Sequence, residues 1–117
     1  MENSILETVK KMLGIFDSDN AFDQDLIVYI NSAFTKLWQI GIPKDKQFVI
    51  TGKNEKWKDI NYDNPNIQDI ITYIFLNVKY SFDPPTSSFV LDSIKESIKE
   101  IEWRINMTAE VDNSKIL

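Results

Sequence analysis

Between residues 26 and 38, apolar side chains recur at three- and four-residue steps: Leu26, Ile27, Ile30, Ala33, Phe34, Leu37 and Trp38. An α-helix puts all of these on one broad face, and a face that apolar needs cover from elsewhere in the chain. Gly41 and Pro43 end this helix, and Asn20 with Asp23 are placed as its N-terminal cap and three-residue partner. Three further stretches carry the same period. Ser4 and Glu7 make a capping box ahead of Ile5, Leu6, Val9, Met12 and Leu13, with Gly14 as the stop. Asn64 and Pro65 open a third helix whose stripe is Ile67, Ile70, Ile71, Ile74, Phe75 and Val78. Asp83-Pro84-Pro85 breaks the chain as a rigid corner, and Thr86-Ser87-Ser88 supplies caps for a fourth helix from about residue 87 to 107.

In that last helix Leu91, Ile94, Ile98, Ile101 and Ile105 are spaced 3, 4, 3, 4, a narrow seam of the kind long packed helices use, which casts it as the spine of the fold. Residues 44 to 63 differ. Phe48-Val49-Ile50-Thr51 is short and β-branched, Gly52-Lys53-Asn54 is turn chemistry, and Trp57 and Ile60 read as anchors. The expected fold is therefore mainly α: a small four-helix domain over residues 1–108, with a short β-hairpin or an ordered loop between helices two and three. Residues 109–117 are polar and aperiodic, and read as a flexible C-terminal tail. The expected core runs through Ile30, Phe34, Leu37, Ile71, Ile74, Ile94 and Ile98.

The chemistry points away from catalysis. There is no histidine for acid-base work near neutral pH and no cysteine for a thiolate, disulfide or zinc site. Gly14, Gly41 and Gly52 stand too far apart to cradle a phosphate. Asp17, Asp19, Asp23 and Asp25 invite comparison with a calcium loop, but against the EF-hand pattern Ala21 fills a ligand position and Phe22 the glycine position. Helix N-terminal acids favourable to the macrodipole account for them without a metal. No catalytic, cofactor or metal residue is assigned, and the chain is expected not to be an enzyme. A net charge of -5 opposes sequence-specific binding to nucleic acid. No run of about 18 apolar residues spans a bilayer, and Glu2 and Asn3 do not begin a signal segment, so the expected place is the cytoplasm where the chain is made.

The run Phe82-Asp83-Pro84-Pro85-Thr86-Ser87-Ser88-Phe89-Val90-Leu91, continuing into Ile101-Glu102-Trp103-Arg104-Ile105-Asn106, resembles the C-terminal signature of phage head-to-tail connector proteins, the adaptor or head-completion family. Asp23-Gln24-Asp25-Leu26-Ile27, Ile30-Asn31-Ser32-Ala33-Phe34, and Leu37, Gln39 and Gly41 with Trp57 are similar to connectors from prophages of Gram-positive bacteria. The resemblance implies a structural subunit of a homo-oligomeric, dodecameric ring beneath the portal, bridging the DNA-filled head and the tail. It implies portal protein and tail or head-completion proteins as partners. Assembly would take place in the host cytoplasm, followed by residence at the head-to-tail interface of the virion, with DNA passing through the ring. The acidic charge suits a channel that does not hold phosphate. Whether the free subunit is monomeric stays open. The alternative is a small helical phage regulator, a DNA-binding or anti-repressor protein. Against it, Lys95, Lys99 and Arg104 on the fourth helix are interleaved with Asp92, Glu96, Glu100 and Glu102.

Trp103 lies about 200° round the fourth helix from Ile101, away from the seam and on the side of Glu96, Glu100 and Met107. It is either a subunit-interface anchor or is covered by the first helix or the Trp57 segment. The candidate interface is Trp103, Arg104 and Met107, with Ile116 and Leu117 at the end of the tail. Between residues 44 and 58, Lys44, Lys46, Lys53, Lys56 and Lys58 oppose only Asp45 and Glu55, a surplus that either complements an acidic neighbour in a ring or keeps a loop soluble.

Overall fold

In the computed structural model, residues 4–43, 46–60 and 67–116 are described, the side chains of 108–116 excepted. Four α-helices follow in order: α1 (Ile5–Met12), α2 (Asp23–Gln39), α3 (Ile67–Phe82) and α4 (Ser88–Ile116). α1 packs on α2, α2 on α3 and α3 on α4. The mainly α expectation holds, and among the described residues no strand forms.

The helix ends follow their local chemistry. The Ser4 hydroxyl accepts the Glu7 amide at 3.3 Å to open α1, and Gly14 takes a positive φ of 81° just past its end. α2 starts later than the Asn20 cap implied. Its first residue is Asp23, whose amide donates to the Asn20 backbone carbonyl rather than to its side chain. Phe22, the residue before the helix, packs edge-on against Phe82 with ring centroids 5.4 Å apart, which fixes the approach to α2 from the far end of α3. At the other end of α2, Gly41 has φ 101° and the Ile42 amide returns to Leu37 O at 3.1 Å. The Asn64-Pro65 start expected for α3 lies outside the described residues. α4 opens where expected, with the Ser87 hydroxyl accepting the Val90 amide at 3.4 Å.

Of the two alternatives for the middle segment, the ordered loop is what forms. Residues 46–60 are tied to both neighbouring helices. The Asn31 side chain of α2 clamps Ile50 in both directions, Nδ2 donating to its carbonyl at 2.9 Å and Oδ1 accepting its amide at 2.8 Å. Gln47 Nε2 donates to Thr35 Oγ1 at 2.7 Å. Trp57, within a 3-10 turn at Trp57–Asp59, is buried and donates its indole N–H to Thr8 Oγ1 of α1 at 3.1 Å. Ile5 N donates to Glu55 O at 3.0 Å, and Ser4 bridges to Lys56. Side chains meet the backbone of this loop at Ile50, Thr51, Gly52 and Lys56, in place of the ladder that a partner strand would supply there. Lys44 and Asp45 lie outside the described residues.

The core is centred on α2 and α3, with α1 capping it: Ile5, Leu6, Val9, Leu26, Ile30, Ala33, Phe34, Leu37, Ile70, Tyr73, Ile74 and Val78 are all buried. Of the seven core positions expected from the sequence, Ile30, Phe34, Leu37 and Ile74 are buried and Ile71 and Ile98 are half-buried against the core. Ile94 is a correction. It is only half-buried and stands outside the cluster, because α4 is not the spine of the fold but its outer edge: from Ser88 to Met107 only Ile101 and Ile105 are buried. α3, covered by α2 on one side and α4 on the other, is the central helix. The backbone of α4 is helical to Ile116, past residue 107 where the sequence placed its end. The side chains of the expected flexible tail, residues 109–117, lie outside the described residues, as does Leu117 altogether.

Candidate interface surface

α4 is held on α3 along one side only, and what holds it sets what it presents. Ile101 and Ile105 insert their side chains into the core. Beside them Tyr73 donates its hydroxyl to Glu102 Oε2 at 2.7 Å. Burial of the Tyr73 phenol, reinforced by the hydrogen bond and the charge of Glu102, pushes its pKa well above the ordinary value. Arg104 forks between helices: Nη2 meets Asp69 Oδ1 of α3 at 3.0 Å and Nη1 meets Glu100 Oε1, one turn back on α4, at 2.8 Å. The hydrogen bond to Asp69 is the main reason the guanidinium pKa is raised still further. Nearer the start of α4, Lys95 Nζ stands 5.7 Å from the centroid of the Tyr80 ring of α3.

With the inner side fixed by these contacts, the opposite side of α4 faces water. Trp103 is 64% exposed and Met107 41%. They sit four residues apart, on successive turns of that side. The alternative cover for Trp103 does not form, because Trp57 is spent on Thr8 and α1 packs on α2. Phe89, 79% exposed, belongs to the same side: it lies eighteen residues before Met107, five full turns at 3.6 residues per turn. Its place in that arrangement was overlooked in reading the sequence, although the same helical arithmetic that singled out Trp103 would have found it. Arg104 borders this surface as a positioning residue that ties α4 to α3. Ile116 lies on the helical backbone with its side chain outside the description, so the structure brings together Trp103, Arg104 and Met107 but not the last two candidates.

The acidic residues considered for calcium do not converge. Asp23 pairs with Lys10, Nζ to Oδ1 2.9 Å, an ion pair without hydrogen-bond alignment. Asp19 Oδ1 accepts the Ala21 amide at 3.1 Å in a local turn. Among the described residues no group of three metal-ligating side chains is assembled. No described helix is long and apolar enough to cross a membrane.

α4 thus turns Ile101 and Ile105 toward the core and leaves Trp103, Met107 and Phe89 exposed on its other side. No curated protein and no solved structure matches the chain. The family model described as phage connector protein matches residues 5–112, nearly the whole sequence, with α1, α2 and α3 entire and most of α4, and the chain therefore belongs to the phage connector protein family.

Proposed function

We propose that this chain is the subunit of a homo-oligomeric ring beneath the portal vertex, dodecameric as the family resemblance implies, joining the DNA-filled head to the tail. A structural connector role with virion partners follows from the family. The ring, its position and its stoichiometry are the reading advanced here, and Trp103 carries it. A large aromatic held in solvent on a helix locked to the core by Tyr73–Glu102 and Arg104–Asp69 is already rigid before a partner arrives, so docking orders little that is not ordered. Trp103 and Met107, bordered by Arg104, form the contact with an adjoining virion protein, and Ile116 and Leu117 extend it. Subunits of net charge -5 line a channel that DNA crosses without adhering. Assembly takes place in the host cytoplasm before the subunit is carried into the virion.

The test is sedimentation of the full chain with and without portal rings. A fixed number of copies per ring is expected. Trp103→Ala with Met107→Ala should lower occupancy at least about tenfold while leaving the unfolding midpoint in place, since both side chains are largely outside the core. A chain that neither self-associates nor binds portal, or that instead binds duplex DNA tightly and loses it with salt, refutes the reading.

A further inference from the structure

The two ends of the α1–α2 pair carry opposite charge. At one end is the α1–α2 loop, residues 14–22, leading into α2. From Gly14 to Asp25 it holds Asp17, Asp19, Asp23 and Asp25 and no lysine or arginine. At the other end is the 46–60 loop, where Lys46, Lys53, Lys56 and Lys58 outnumber Glu55 and Asp59. The contacts place them apart. The acidic loop joins the C-terminal end of α1, where Lys10 Nζ donates to Asp17 O at 3.2 Å. The basic loop joins the N-terminal end, where Ile5 N donates to Glu55 O. The eight residues of α1 between them span about 12 Å.

The acidic end also presents an aromatic side chain. Phe16 is 82% exposed, more than any other large apolar side chain among the described residues. Its loop is built rather than slack: Lys10, 1% exposed, reaches out of the core to hold both Asp17 and Asp23, and Gly14 turns the chain at positive φ. On the basic end Val49 stands half-exposed within the lysine-bearing loop, beside Ile50, which Asn31 pins in place. One end thus offers an exposed Phe16 in a loop whose charged residues are all acidic, and the other a half-exposed Val49 in a loop where lysines outnumber acids.

We propose that copies of this chain join head to tail, the acidic loop of one seating Phe16 against Val49 among the lysines of the next. The two surfaces are different and complementary. Such a contact is heterologous, and when its rotation closes it generates a ring rather than a two-fold dimer. The inference deepens the ring reading and rests on it, leaving the outer side of α4 free for the other virion protein.

The experiment is sedimentation velocity of the full chain, alone and on portal rings, at about 50 mM and about 500 mM salt. Wild-type association should weaken as salt rises. Phe16→Ser, at a solvent-facing position, should weaken association at least about tenfold with an unchanged unfolding midpoint. Asp17→Lys and Lys53→Glu should each fail to associate alone. Mixed one to one they should associate again, because every junction in an alternating ring then pairs opposite charges. Wild-type assembly matched by all three variants overturns this contact while the ring reading stands. Absence of wild-type assembly both in solution and on portal overturns the two together.

Discussion

Lys10 is all but inaccessible to water, and its ammonium meets Asp23 and the Asp17 carbonyl at the joint between α1 and α2. Removing one partner of such a pair costs more than removing the pair, because the remaining charge is left without solvent or counterion. Asp23→Ala should therefore destabilise the chain by about 2 to 3 kcal/mol, below the full range for a sealed pair because Asp23 keeps some contact with water. Lys10→Met combined with Asp23→Ala should recover much of that loss, read as the shift in urea midpoint at constant slope. A second residue-scale outcome concerns Glu55. Burial, the largest single influence, pushes its pKa up, but hydrogen bonds from the Thr51 hydroxyl and from the Glu55, Thr51 and Gly52 amides together hold it below its ordinary 4.5. A carboxylate with a depressed folded pKa adds stability above its unfolded value and loses it as pH falls through the folded one. The 51–55 turn should loosen in acid below pH 4.5, and Glu55→Gln should remove that pH dependence from amide exchange at Thr51 and Gly52.

Among the elements, α4 separates what periodicity can show from what it cannot. The 3-4 spacing of Leu91, Ile94, Ile98, Ile101 and Ile105 correctly marks one side of one helix, yet spacing alone does not say how far along that side a partner helix extends. α3 runs beside α4 from Tyr80, near Lys95, to Asp69, which holds Arg104, yet burial deepens along the way, from half-buried Ile94 and Ile98 to buried Ile101 and Ile105. Ile105→Ala should thus cost about 2 to 4 kcal/mol and Ile94→Ala about 1 kcal/mol or less in chemical unfolding, a gradient that a spine helix would not give. The helix starts at Ser4 and Ser87 and the stops at Gly14 and Gly41 were legible, because each depends on residues close in sequence; that Trp57 is an anchor was legible from its type, but its partner Thr8, 49 residues away, was not. The start of α2 was not, since Phe22 and Asp23 answer to Phe82 and Lys10, far along the chain or on another helix. The same limit governs the interface: Trp103 could be placed off the seam from the sequence, but its exposure depends on where Trp57 and α1 go.

At the scale of the molecule, the chain measures 48 × 35 × 23 Å, and the 29 residues of α4 account for about 43 Å of its length at 1.5 Å per residue. Among the described side chains the last buried one is Ile105, and the helical backbone runs on to Ile116 for about another three turns past it. A short helical extension of this kind gains little stability on its own, because most helical stability comes from packing an apolar face. Its sequence, with Asp112-Asn113-Ser114 ahead of Ile116 and Leu117, is polar until the two terminal apolar groups. Burying both against a neighbouring subunit or the portal would contribute about 1.5 to 3 kcal/mol each before the cost of ordering the segment. Deleting residues 109–117 should therefore leave the urea midpoint within about 0.5 kcal/mol of the full chain, since no described core contact is lost. The same deletion should reduce the copies retained on portal rings by about tenfold or more, as the net loss of a few kcal/mol requires. Retention equal to that of the full chain would show that the extension docks on nothing, and a fall in the midpoint by more than about 1 kcal/mol would show that it packs on its own subunit instead.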